Sequence, residues 1–182
     1  MMTTETNIPL LATLDYVNYI DENGQIPETF QGKIGVYAIF NQEKLLQFVG
    51  YSRDVYVSLK QHLVRQPQQC YFVKAQTIDR PSRAILETIE QAWIAENGTV
   101  PLGNSDRKAE WTNAINAKAM MTTEEQANYQ NPVNDELAQM KILKNVARRV
   151  EAEILAVLES RGLQTPIRFN PKLKEEGLLD LK

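Results

Sequence analysis

The side chains best suited to chemistry fall between positions 37 and 104: Tyr37, Tyr51, Arg53, His62, Glu90 and Asn104. An imidazole that titrates near pH 6.5 can shuttle protons. A guanidinium can hold an oxyanion, and a helix carboxylate can ligate a hard divalent cation. Each residue also has a structural alternative. Tyr37 sits between Val36 and Ala38 and fits the core of a strand. His62 fits a helix packing face, Asn104 follows Gly103 and fits a turn, and Glu90 follows Ile89 and fits a solvated helix position. Glu87, nearly one turn before Glu90, is placed to pair with Arg83. The single Cys70 and single His62 exclude a Cys/His zinc cluster within one chain.

The elements that must position these residues can be read from periodicity. Ile34 to Phe40 is β-branched and aromatic, Asn41 to Lys44 is polar, and Leu45 to Gly50 is apolar again, which predicts a β-hairpin. Ser52 can cap a helix over 53–64 that carries Val55, Leu59 and Leu63 on one face. Cys70 to Ile78 alternates as a third strand. Pro81-Ser82 opens a helix over 82–97 with an apolar stripe of Ile85, Leu86, Ile89, Ala92 and Trp93, stopped by Asn97-Gly98. Upstream, Leu10, Leu14 and Val17, with Leu11 and Ile20, predict a short amphipathic helix over 8–20, and Pro27 and Gly32 bracket a loop. The fold class expected is α+β: a small, three-stranded, mainly antiparallel sheet flanked by helices.

The order hairpin, helix, strand, helix resembles that of the GIY-YIG nuclease superfamily. Ten residues separate Gly35-Val36-Tyr37 from Phe48-Val49-Gly50, a helix with His62 follows at once, and Glu90 lies fourteen residues before Asn104. Within the superfamily, "GVYAIF…LQFVGYSRDVYVSLKQHL…C…WI…VPLGN" is similar to the N-terminal domain of chloroplast monothiol glutaredoxins and to their stand-alone cyanobacterial relatives. The resemblance covers residues 33–104. It implies a divalent-metal-dependent DNA endonuclease with Mg²⁺ or Mn²⁺ on Glu90, a hydroxyl from Tyr37 and support from Asn104. Two positions depart from the pattern. The second-motif Tyr is Phe48, and the family's helix Arg, eight residues after the second-motif Gly, falls on Ser58. Arg53 is then the candidate cation, and Tyr51 or His62 the candidate base. Losing a positioned base costs on the order of 10²–10⁴ in rate; losing an electrostatic stabiliser costs on the order of 10²–10³. The expectation is a weak DNA endonuclease or, alternatively, a catalytically degenerate fold that binds protein or nucleic acid. Cys70 is expected as a buried thiol; the chloroplast subgroup suggests a redox role, which would need a partner protein.

Residues 105–182 lie outside the resemblance. A helix through Trp111 and Ile115 is expected, then a polar connection over 122–132 with room for a helical turn. A long helix over 134–161 follows, capped by Asn134 and stopped by Gly162. Its seam is Leu137, Met140, Leu143, Val146, Ala147, Val150, Ile154, Val157 and Leu158. It either packs on the nuclease-like domain or binds a protein partner. A short final helix is expected in the tail. The domain plan is therefore 1–32, an N-terminal helix and loop; 33–104, the nuclease-like domain; and 105–182, a helical extension. Charge is uneven along it: residues 1–32 carry five acids and no base, whereas 33–104 are net +2. A dedicated duplex binder has a stronger basic excess, so any grip on DNA is local. No apolar run approaches the roughly 18 residues of a membrane span. The first seven residues lack secretory features, and one cysteine permits no internal disulfide. These features give a cytoplasmic expectation.

Overall fold

Gly35 through Phe40 are all buried, as a strand must be when both its faces are covered. In the computed structural model, which describes residues 8–182, this run is β2 (Ile34–Phe40). Its sheet also contains β1 (Val17–Asn18), β3 (Leu46–Ser52) and β4 (Phe72–Ile78). The order is β1-β4-β2-β3, and every pairing is antiparallel. The sheet thus has four strands, the three expected plus a two-residue edge. In the hairpin, Tyr37 lies opposite Gly50 and Ile39 opposite Phe48, and the register shifts beyond Ile39 so that Phe40 meets Leu46. Asn41 Oδ1 accepts from the Glu43 and Leu45 N–H groups and closes the turn.

Strand alternation divides β2 between two helices. Val36, Ala38 and Phe40 join Leu86, Ile89 and Trp93 of α2 (Arg83–Asn97) in one core with Leu11 and Val49. Tyr37, on the opposite face, meets His62 of α1 (Val55–Arg65). Helix α1 is capped by Asp54 rather than Ser52. The Asp54 side chain accepts from the Val57 N–H, and Ser52 Oγ accepts from Asp54 N–H one step earlier. Ser82 caps α2, and Gly98, at φ 84°, ends it in the left-handed conformation.

The helix expected over 8–20 does not form. Only Leu11–Thr13 makes a 3-10 turn, and Val17 and Asn18 pair with β4. The backbone groups that a helix would use internally have side-chain partners from the sheet unit. Glu96 accepts from the Leu11 and Ala12 N–H groups, Lys74 Nζ donates to the Leu11 carbonyl, and Trp93 Nε1 donates to the Pro9 carbonyl. Buried Lys74 also lies 4.1 Å over the Tyr16 ring, so both its charge and its donor are used. Leu10, expected on the apolar stripe, is exposed, and Leu11 is buried in its place.

The chain divides into two compact units, one ending at Thr112 and the other Asn113–Lys182. The first extends past Asn104 to include α3 (Lys108–Thr112) and buried Trp111. The expected helix through Ile115 stops at Thr112; Ile115 belongs instead to β5 (Ile115–Asn116). In the second unit the polar stretch forms a full helix, α4 (Thr123–Gln130), opened by a reciprocal Thr122–Glu125 capping box. The long helix is α5 (Glu136–Ser160), capped by Asp135 rather than Asn134. It buries Leu143, Val146, Ala147, Val150, Ile154 and Leu158, whereas Leu137 is exposed. Arg149 ties α5 to α4 through Glu125 and also bonds Glu153 and the Met120 carbonyl. The expected final helix is the short α6 (Pro171–Lys174), and β6 (Leu178–Leu179) pairs with β5. No helix among the described residues is long and apolar enough to cross a membrane.

Candidate active site

The hairpin register sets the site. Because Tyr37 lies opposite Gly50, the phenol crosses a position that has no side chain. A Cβ on Gly50 would come within 2.8 Å of the Tyr37 hydroxyl and 2.6 Å of the Phe48 ring. The two rings fill that space, and beside them lies an open cleft of about 370 Å³, lined by Tyr37, Gly50, Ser58, Gln61, His62, Arg65, Glu90, Asn104 and Lys108 among others. Five of the six side chains singled out from the sequence therefore line it: Tyr37, Tyr51, His62, Glu90 and Asn104. Arg53 does not. It is exposed, outside the cleft lining, because it lies in the turn before α1. The sequence reading missed Arg65 and Lys108. Positions 58, 61, 62 and 65 of α1 share one helical face, so Arg65 could have been found from the placement of His62. Lys108 had no such signal, because α3 was not delimited.

Tyr37 and His62 act as a unit. The Tyr37 hydroxyl lies 2.7 Å from His62 Nε2. Burial raises the phenol pKa well above its usual value, opposed by a hydrogen bond from Ser58 and by the charge of Arg65. Burial, followed by the Arg65 charge, lowers the His62 pKa to about 3. At neutral pH both rings are uncharged, with the phenol proton directed at an unprotonated Nε2. Nδ1 then carries the ring proton. The Trp111 carbonyl pulls the His62 pKa slightly upward, but buried Nδ1 makes no hydrogen bond of acceptable geometry. That carbonyl accepts instead from Arg65 Nη1 at 3.2 Å. Phe48 stacks on Trp111 with ring centroids 5.4 Å apart and packs against His62 at 4.6 Å. Where a second tyrosine would bring a hydroxyl, this chain has an aromatic wall.

Glu90 is half-buried on α2. Burial raises its carboxyl pKa, Lys108 opposes the shift and Glu87 adds to it. Gln91 Nε2 lies 3.4 Å from its oxygen, and it makes no ion pair among the described residues. Glu87 does make the expected bridge to Arg83 at 2.7 Å and also accepts from the Tyr51 hydroxyl, which turns Tyr51 away from the role of a base. Asn104 binds backbone: its Oδ1 accepts from Val49 N–H at 2.8 Å and its Nδ2 donates to the Val49 carbonyl at 2.7 Å. It positions β3 rather than presenting a reactive group. Gly103 lets this turn approach, since a Cβ there would lie 2.5 Å from the Gln47 carbonyl. Cys70 is buried, with its thiol 3.6 Å from the His62 carbonyl.

The described residues contain no group of three or more His, Cys, Asp or Glu side chains able to hold a metal ion. One carboxylate beside an open polar cleft still suits Mg²⁺ or Mn²⁺, which keep several waters and take other oxygens from a substrate phosphate. Glu90 is the residue that would hold it.

Among curated proteins, the chain is 39% identical over 74 residues to the bifunctional monothiol glutaredoxin-S16, chloroplastic, of Arabidopsis thaliana. The match takes in 38% of this chain and spans 25% of that relative. No family model matches the chain.

Proposed function

We propose that this protein is a GIY-YIG-type, divalent-metal-dependent DNA endonuclease of low turnover. The observation that carries this reading is the convergence of Glu90, Tyr37 and His62, with a cation beside them, on one open cleft. In the reaction a water oxygen bonds to phosphorus and one phosphodiester P–O bond breaks. The water proton moves toward Tyr37 and the departing oxygen is protonated from solvent. Tyr37 orients the water and can pass its own proton to His62 Nε2 across the 2.7 Å contact. A His62 pKa held near 3 makes that nitrogen a weak acceptor, so the relay is slow. A metal ion bound at Glu90 would supply charge stabilisation on the phosphate and the departing oxygen.

The test is plasmid nicking by purified protein in Mn²⁺. Glu90→Ala is expected to lose about 10²-fold or more of the activity; equal nicking by wild type and variant rejects the reading. Phe48 stacked on Trp111 favours a second reading, a degenerate fold that binds nucleic acid or protein without cutting it. Retention of DNA with no Glu90-dependent nicking would favour that alternative.

A further inference from the structure

The cation of this site is not where the sequence pattern would place it. The expected Arg position holds Ser58, which hydrogen-bonds Tyr37, and Arg53 lies outside the cleft. Two cations line the cleft, Arg65 and Lys108. They differ in freedom. The Arg65 guanidinium is engaged with the Trp111 carbonyl, and its charge acts on Tyr37 and His62. It is built into the wall and adds to the effect of burial in keeping the imidazole neutral. Lys108 is exposed, is the first residue of α3, and makes no ion pair among the described residues. Its charge reaches Glu90 and partly offsets the effect of burial on that carboxyl. A flexible stem ending in a compact ammonium suits contact with a phosphate as a point charge.

We propose that Lys108 is the catalytic cation of this cleft: its ammonium contacts a non-bridging oxygen of a phosphodiester held beside Glu90. This assignment rests on the phosphodiester reading above. Lys108 keeps its proton throughout and donates hydrogen bonds to the oxygen on which negative charge accumulates. It does the work of a guanidinium from a different helix, which explains how Ser58 can be spent on Tyr37.

The experiment compares wild type, Lys108→Met, Lys108→Arg and Glu90→Gln. One readout is Mn²⁺-dependent plasmid nicking. The other is fluorescence anisotropy of a short labelled DNA duplex in Ca²⁺ across a salt series. Lys108→Met is expected to nick about 10²-fold more slowly and to reduce the slope of log affinity against log salt by about one, with Lys108→Arg retaining most of both. Wild-type nicking and an unchanged salt slope in Lys108→Met overturn the assignment. So does an equal loss in the Met and Arg variants, which would indicate a structural role. Glu90→Gln reports separately on the parent reading: if it nicks like wild type, the nuclease proposal fails, and the salt slope alone decides whether Lys108 contacts phosphate.

Discussion

Mild acid should destabilise this protein through a single imidazole. His62 is 4% exposed, and burial holds its pKa near 3, against about 6.5 in an unfolded chain. The folded state therefore keeps the ring neutral while the unfolded state takes up a proton. The stability this asymmetry provides is fully present above pH 6.5. It is lost as pH falls through the unfolded value, and the loss levels off near the folded one. Between those limits the slope is about 1.4 kcal/mol per pH unit. At pH 5, about 1.5 units below the unfolded pKa, the cost is about 2 kcal/mol. Urea unfolding at pH 7.5 and pH 5.0, for wild type and His62→Gln, isolates this contribution. Wild type should lose about 2 kcal/mol more than the variant on acidification, whatever the variant loses at neutral pH. The chain has one histidine, so its imidazole proton resonance can be followed by NMR without assignment. A resonance that titrates with a midpoint near 6.5 in the folded protein, or equal acid sensitivity of the two proteins, would refute the reasoning.

Two further outcomes follow from the same geometry. Asn104→Ala removes both partners of the part-buried Val49 backbone and should cost about 1–3 kcal/mol; nicking should fall too, with urea midpoint and nicking rate measured on the same preparation. Gly50→Ala forces a methyl within 3 Å of two packed rings and should cost about 1–3 kcal/mol; thermal melts of wild type and Gly50→Ala measure it, and an unchanged midpoint refutes the overpacking.

The sheet and its two helices were legible because each carries its own period. β2 alternates between two covering helices, and α2 has both its cap at Ser82 and its stop at Gly98 in sequence. Residues 8–20 misled because their apolar spacing suits a helix, while the hydrogen bonds that decide the conformation come from Lys74, Trp93 and Glu96, more than sixty residues away. The site divides in the same way. Tyr37, His62, Glu90 and Asn104 could be found from motif spacing. Arg53 is near the hairpin along the chain but does not face the cleft, whereas Lys108, distant in sequence, lines it by way of the turn after α2. Nor could spacing show that Asn104 would hold backbone.

The Asn104 clamp has another consequence. β3 is the outer strand beside β2, and Val49 points its N–H and carbonyl outward to the Asn104 carboxamide. A carboxamide offers one donor and one acceptor, as a peptide unit does, so this side chain imitates a single link of a fifth strand. An unpaired sheet margin is a template on which other chains can add and polymerise. Here the link is already filled at the middle of the β3 margin. The residue that steadies the hairpin at the cleft also occupies the place where an added strand would pair with Val49.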